Sequence, residues 1–314
     1  MAGAQETREL RCTCGALNDV DFPTCIRCNR PLTAETSVSG PDEAAHVEAS
    51  APATTEPERA QWRGRPTKQA APDRAPPPAR AGMLLAGIAA FVFALELLLS
   101  LKRSGNINVL SGGHAGDLLR VGALFTAREI VVSEPWRLVS AVFVHFGLVH
   151  FAVNMYGFVQ LARAAETAVG PARTVTTFLV TGLAGNLVTL AVQAAVSGRP
   201  VLTAGASGGI LGVMGLLLGV LLRRRNPLWV RYLVETLVFA VAIGFVMNAS
   251  GGPIVVNNAA HVGGLVVGLL LGLLWGRAGR VESRVDRLVA FSLLGVAGVS
   301  LALSWTSDLP RVLH

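Results

Sequence analysis

Seven apolar runs, near residues 82–101, 140–162, 174–196, 207–222, 232–248, 258–276 and 287–304, limit more than any other feature what this chain can become. A bilayer core about 30 Å thick takes roughly 20 residues of helix, and inside it every backbone N–H and C=O must find a partner within the protein. Runs of this length, two of them short, predict an all-α membrane protein with seven spans. Composition agrees: 52% of the 314 residues are apolar and 15% are charged, and a mean hydropathy of +0.51 is too high for a domain with a wet surface. The first run starts at residue 82 and has no small-residue cleavage pattern at the right distance from Met1, so it is expected to stay as a helix and not to leave as a signal peptide.

Basic residues set the expected orientation. Arg63, Arg65, Lys68, Arg74 and Arg80 precede the first span; Arg163 with Arg173, then Arg223, Arg224, Arg225 and Arg231, then Arg277, Arg280, Arg284 and Arg287 follow at alternate connections. In a seven-span bundle these fifteen fall on one side against seven on the other. That places the N-terminus in the cytoplasm and the C-terminus outside, in a plasma membrane (the inner one, for a bacterium). Topology and contact with the lipid bilayer account for the net charge of +7. Without basic residues interleaved with aromatics, no nucleic acid is expected as a partner.

Two soluble pieces precede the membrane part. Residues 31–81 hold nine of the sixteen prolines and almost no large apolar side chains, so a linker without a core is expected over 36–81. Residues 1–35 differ, because they contain all four cysteines, as a C-x-C pair (Cys12, Cys14) and a C-x-x-C pair (Cys25, Cys28). Paired thiolates on two tight knuckles suit a tetrahedral zinc ion, and a piece this small needs such a staple to fold. Two disulfides would be the alternative, which a reducing cytoplasm disfavours. The stretch resembles zinc-ribbon or RanBP2-type zinc-finger modules; Asn18 and Pro31-Leu32 are in keeping, and the one-residue first knuckle departs from the usual two. The resemblance implies a structural zinc and a module that binds a protein partner.

The stretch "TAGASGGILGVMG", residues 203–215, sets Ser207 among glycines where a membrane helix begins. Arg223 pins the inner end of that span sixteen residues later, about 24 Å along a helix, so the serine is expected several ångströms below the outer surface. Coil at that depth must be buried or line a water-filled cavity, which suits Gly205 and Ala206. In the sixth span His261 lies sixteen residues before Arg277, hence at the same level as Ser207. An ionisable group inside a span is a functional candidate, and a histidine level with a recessed serine can act as its base. Gly264 and Gly268 have the small-x-x-x-small spacing that brings helices close enough for a Ser–His hydrogen bond. On the second span His150 and Asn154 share a face at i, i+4 and, with the free N–H groups opening the Ser207 helix, can hold an oxyanion. His145, less than a turn and a half before His150, is expected to tie the outer loop to the bundle. The only carboxylates within spans are Glu96, expected to bond into the first loop or face the bundle, and Glu235 at the inner end of the fifth; neither is level with His261, so a dyad fits better than a triad.

These motifs, in order, resemble those of the rhomboid intramembrane serine proteases: Trp136-Arg137 after "GALF", H-F-x-x-x-H-x-x-x-N from His145 to Asn154, "AAETAVGPAR" with Glu166 and Gly170, "GASG" around Ser207 and "AHVGGLVVG" around His261. The resemblance implies a six-helix core over 82–276. It makes Ser207 the nucleophile, His261 the base, and His150, Asn154 and the Ser207 amide the oxyanion hole, with no cofactor for catalysis. Trp136 and Arg137 then mark a first loop partly embedded in the membrane. Leu211 stands where many members have an aromatic ring against the histidine. Residues 277–314 add a seventh helix and a short outer tail, as in the secretase-type arrangement. The implied substrates are single-pass transmembrane proteins; Phe239 and Phe245 on the fifth span form an apolar gate for them or are plain lipid-facing or core aromatics. An inactive relative that only binds transmembrane clients would usually lack the serine or the histidine. "GASGG" also fits the G-x-S-x-G elbow of soluble hydrolases, but no βα alternation surrounds it. No repeated halves with broken helices point to a transporter.

Overall fold

The computed structural model describes residues 79–105, 114–196, 199–238, 257–278 and 281–308, and, nearer the N-terminus, 9–12, 17–19, 25, 32, 37 and 38. The chain divides into two compact units, 1–72 and 73–314.

In the first unit β1 (Glu9–Cys12) pairs antiparallel with β2 (Leu17–Asp19) and with β3 (Ser37–Val38). Cys12 opposes Ser37 in that register, so the sheet reaches past residue 35, into the stretch expected to be linker. Cys12 and Cys25 are both buried. Cys14 and Cys28 lie outside the described residues, as does most of the 36–81 linker.

The second unit is helical. It begins with α1 (Arg80–Ser104), closed by left-handed Gly105 after Lys102 and Arg103, where positive charge complements the helix C-terminus. A connecting segment follows, with α2 (Ala115–Val121), β4 (Leu124–Phe125), α3 (Arg128–Ser133), α4 (Arg137–Ser140) and a 3-10 turn at Ala141–Phe143. Then come α5 (Gly147–Val169), α6 (Pro171–Ala195), β5 (Leu202–Thr203), α7 (Ser207–Arg223), α8 (described over 229–238), α9 (Asn258–Trp275) and α10 (Arg284–Thr306).

Four of these, α1, α6, α9 and α10, are long and apolar enough to span a bilayer, and α7 is a shorter apolar helix. The second expected span is not one straight helix: the Arg137–Phe143 stretch meets α5 at an 88° bend. The reason is local. Val144 is extended, His145 bonds back to Phe143 O and Gly147 takes a positive φ, so the helix restarts at 147 instead of running from 140. The fifth expected span continues beyond the described residues after 238, and Phe239 and Phe245 lie there. The apolar helices mark a multi-pass membrane protein.

The core forms where α7 sits among α5, α6 and α9. Phe158 and Phe178 pack with ring centroids 4.5 Å apart, and Phe143 closes the cluster from the 3-10 turn. The buried Thr174, Thr177, Thr181 and Thr189 on α6 each donate to a carbonyl four residues earlier. The α7–α9 contact is backbone on backbone. Gly264, Gly268 and Gly272 face the carbonyls of Gly208, Gly212 and Leu216, and Gly215 and Gly219 face those of Leu265 and Leu269; a Cβ at any of the five would collide with main chain.

Candidate active site

The strand β5 delivers the chain to Ser207. Leu202 and Thr203 pair with Phe125 and Leu124 of β4, so two strands that no helical periodicity announces fix the approach. Gly205 then adopts φ +134 and donates its N–H to Ala141 O at 2.9 Å. Only glycine suits that φ, and here the space is also taken: a Cβ would lie 3.0 Å from His150 Cε1 and 3.3 Å from Nε2. Ser207 is the first residue of α7, so its amide has no acceptor within the helix.

His261 comes from the first turn of α9, where it is buried with its Nε2 2.8 Å from Ser207 Oγ. The glycine seam permits this separation, because side chains of ordinary size between α7 and α9 would hold the helices further apart. Among the described residues no carboxylate is hydrogen-bonded to His261. Of the two carboxylates in expected spans, Glu96 is buried on α1, and Glu235 makes a surface ion pair with Arg231 at 2.7 Å.

His150 has a defined tautomer. The Phe146 N–H donates to its Nδ1 at 3.2 Å, so the ring proton resides on Nε2, the atom that faces Gly205 beside Ser207. Asn154, one turn further along α5, is buried but turned differently: its Nδ2 donates to His150 O at 2.7 Å. The structure thus brings Ser207, His261 and His150 together, and leaves the Asn154 amide engaged with its own helix. His145 is not on α5 at all. It lies fully buried in the bend, edge-on to Phe151 and beside the His150 ring at 5.2 Å. Glu166 accepts the Gly82 N–H at 2.9 Å and so ties α5 to α1, Leu211 is buried on α7, and Arg137 is fully buried at the head of α4.

One residue of this arrangement escapes sequence reasoning. Asn257 caps α9 by accepting the Ala260 N–H at 3.1 Å, and its Nδ2 donates to Thr189 Oγ1 at 2.8 Å and to Thr203 Oγ1 at 3.0 Å. A single amide therefore ties the start of the His261 helix both to α6 and to the strand that leads into Ser207. An asparagine before an apolar run signals the cap; the two threonines, distant in sequence, carry no such signal.

Residues 132–278 match the Rhomboid domain. Over 173 residues the chain is 31% identical to RHOMBOID-like protein 6, mitochondrial, of Arabidopsis thaliana, covering 53% of this chain and 52% of that protein. It is 29% identical over 179 residues to Rhomboid protease GluP of Bacillus subtilis, covering 55% and 33%, and 31% identical over 156 residues to Rhomboid-like protease 5 of Toxoplasma gondii, covering 48% and 18%. The match spans about half the length of the first of these relatives and less of the other two. The match to the Rhomboid domain thus encloses Ser207, His261, His150 and Asn154.

Proposed function

We propose that this protein is an intramembrane serine endopeptidase that cuts single-pass transmembrane proteins near the outer end of their helix. The observation that carries the reading is the 2.8 Å approach of His261 Nε2 to Ser207 Oγ at the first turns of two helices packed backbone to backbone. In this reading the Ser207 hydroxyl donates to His261 Nε2. As Oγ attacks the scissile carbonyl, the proton moves to the imidazole and then to the departing amine, leaving an acyl-serine that water hydrolyses by the same route in reverse. The developing oxyanion is met by the Ser207 N–H and by the Nε2–H of His150, which the Phe146 amide holds in the donating tautomer. Asn154 joins as a third donor when its amide turns from His150 O. Two relatives whose names call them proteases agree with this chemistry. A fluorophosphonate tests it: the wild-type chain in detergent is labelled at Ser207, and Ser207→Ala is not.

The orientation belongs to the same proposal, with a cytoplasmic N-terminus and an outer C-terminus in the plasma membrane, argued from the basic connections. For the first unit the proposal is a structural zinc held by Cys12, Cys14, Cys25 and Cys28, and a protein partner for the module. Cys12 and Cys25 fit, since both are buried in a unit whose described strands are too short to supply a core of their own.

A further inference from the structure

The helix α10 lies beyond the residues that match the Rhomboid domain, yet it is fastened at both ends. At its start, Asp286 pairs with Arg173 at 3.0 Å and Glu282 accepts the Arg173 backbone N–H at 3.0 Å, both at the head of α6. At its other end it meets the connecting segment before α5. Ser304 Oγ, which donates to Ser300 O at 2.9 Å, packs 3.1 Å from Ser140 Oγ, which donates to Gly122 O at 2.8 Å. Ser307 donates to Glu134 Oε1 at 2.5 Å and accepts from Arg137 Nη2 at 3.2 Å, while Arg137 Nε pairs with Glu134 Oε2. Serine, glutamate and arginine so form a closed ring around a fully buried guanidinium, whose Nη1 also donates to Leu119 O and to Ala123 O.

Both attachments lead to the nucleophile. Ala123 is followed by Leu124, which pairs with Thr203 on the strand entering the site. Ser140 is followed by Ala141, whose carbonyl holds the Gly205 N–H at 2.9 Å beneath His150. We propose that the outer end of α10 is a strut for the oxyanion side of the site, with Ser304 and Ser307 as positioning residues acting through Ser140 and Arg137 on the 203–207 approach. The inference rests on the protease reading for its kinetic consequence, though not for its structural one. Without the two hydroxyls, a buried guanidinium N–H and a carboxylate oxygen lose their partner, and the segment that anchors Gly205 loosens.

Four full-length chains in detergent test this: wild type, Ser304→Ala with Ser307→Ala, Ser307→Thr, and Asp286→Asn. The double variant is expected to lose about tenfold in fluorophosphonate labelling rate, and the same in kcat for a cleaved reporter with KM unchanged, because geometry and not binding is lost. Ser307→Thr, which keeps the hydroxyl, retains the wild-type rate. Asp286→Asn lowers the melting temperature from the far end of α10 and leaves the rate unchanged. Hydrogen exchange of the Gly205 amide and of 137–146 should quicken in the double variant alone. Wild-type labelling and wild-type protection in the double variant overturn the strut, and so does an equal rate loss in Asp286→Asn, which would make the effect general loosening. If the wild type itself is not labelled, the protease reading fails, and exchange at Gly205 alone decides the strut.

Discussion

At the residue scale the site depends on a few groups whose partners come from other elements. In the proposed mechanism base and nucleophile act as one unit, so Ser207→Ala and His261→Ala should each abolish labelling and cleavage in a folded chain, and the double variant should cost little more. Substantial cleavage by His261→Ala would remove the dyad. His150→Ala should lower kcat more than Asn154→Ala, since His150 Nε2 already faces Gly205 while the Asn154 amide is committed to its own helix; losing one oxyanion donor costs about 10²-fold. A steeper loss in Asn154→Ala would mean that the amide rotates fully into the site during the reaction. That Ser207 and His261 approach each other was legible because each counts sixteen residues back from an arginine, Arg223 at the end of α7 and Arg277 two residues past the end of α9, and rise per residue is a property of the helix alone. His150's tautomer and Asn257's triple role were not, because they depend on Phe146 across a bend and on Thr189 and Thr203 from two other elements.

At the element scale the α7–α9 seam decides whether serine and histidine meet. Gly268→Val sets a branched side chain against the Gly212 carbonyl in the middle of that seam, away from the reacting atoms. Overpacking of this kind costs about 1–3 kcal/mol, so the melting temperature in detergent should fall. Because the helices must separate, labelling of Ser207 should fall with it; full labelling at a lowered melting temperature would show that the seam stabilises the bundle without setting the dyad distance. The small-x-x-x-small spacing of Gly264 and Gly268 made the close approach readable in advance, although not that Gly272, Gly215 and Gly219 extend it. What periodicity could not reveal is the 88° bend before α5 and the β4–β5 pair. An apolar run looks the same whether its helix is continuous or broken, and strands of two residues leave no alternation to detect.

At the scale of the whole molecule the two compact units predict separable properties. If the first binds zinc, the full chain should carry one metal ion that Cys25→Ser releases, while Ser207 labelling persists in that variant; cysteines recovered as disulfides from a reducing cytoplasm would remove both the zinc and the assigned orientation. In the second unit, depth is the property that would link fold to specificity in the proposed protease. The helix from Ser207 to Arg223 is continuous and about 24 Å long, and α9 runs unbroken for about 21 Å from His261 to Trp275, so in the proposed reading both groups stand at similar heights in a hydrocarbon core of about 30 Å. A substrate of the proposed protease would have to bring its scissile bond to that level. Its carbonyls are closed in helical hydrogen bonds, so it must unwind there, and glycine or proline near the cut lowers that cost by about 1 or 3 kcal/mol relative to alanine. A small residue before the cut suits the narrow approach that Gly205 and Gly208 form under His150 and Ala260. A reporter with an outward-facing N-terminal domain, its Ala-Gly cut site moved stepwise from the outer boundary to mid-span, should be cleaved best in the outer third and progressively less toward the centre. Equal cleavage at mid-membrane or in a soluble loop would show that the level of Ser207 and His261 does not select the bond, since a site fixed a few ångströms below the surface, as proposed, could reach only what the bilayer presents there.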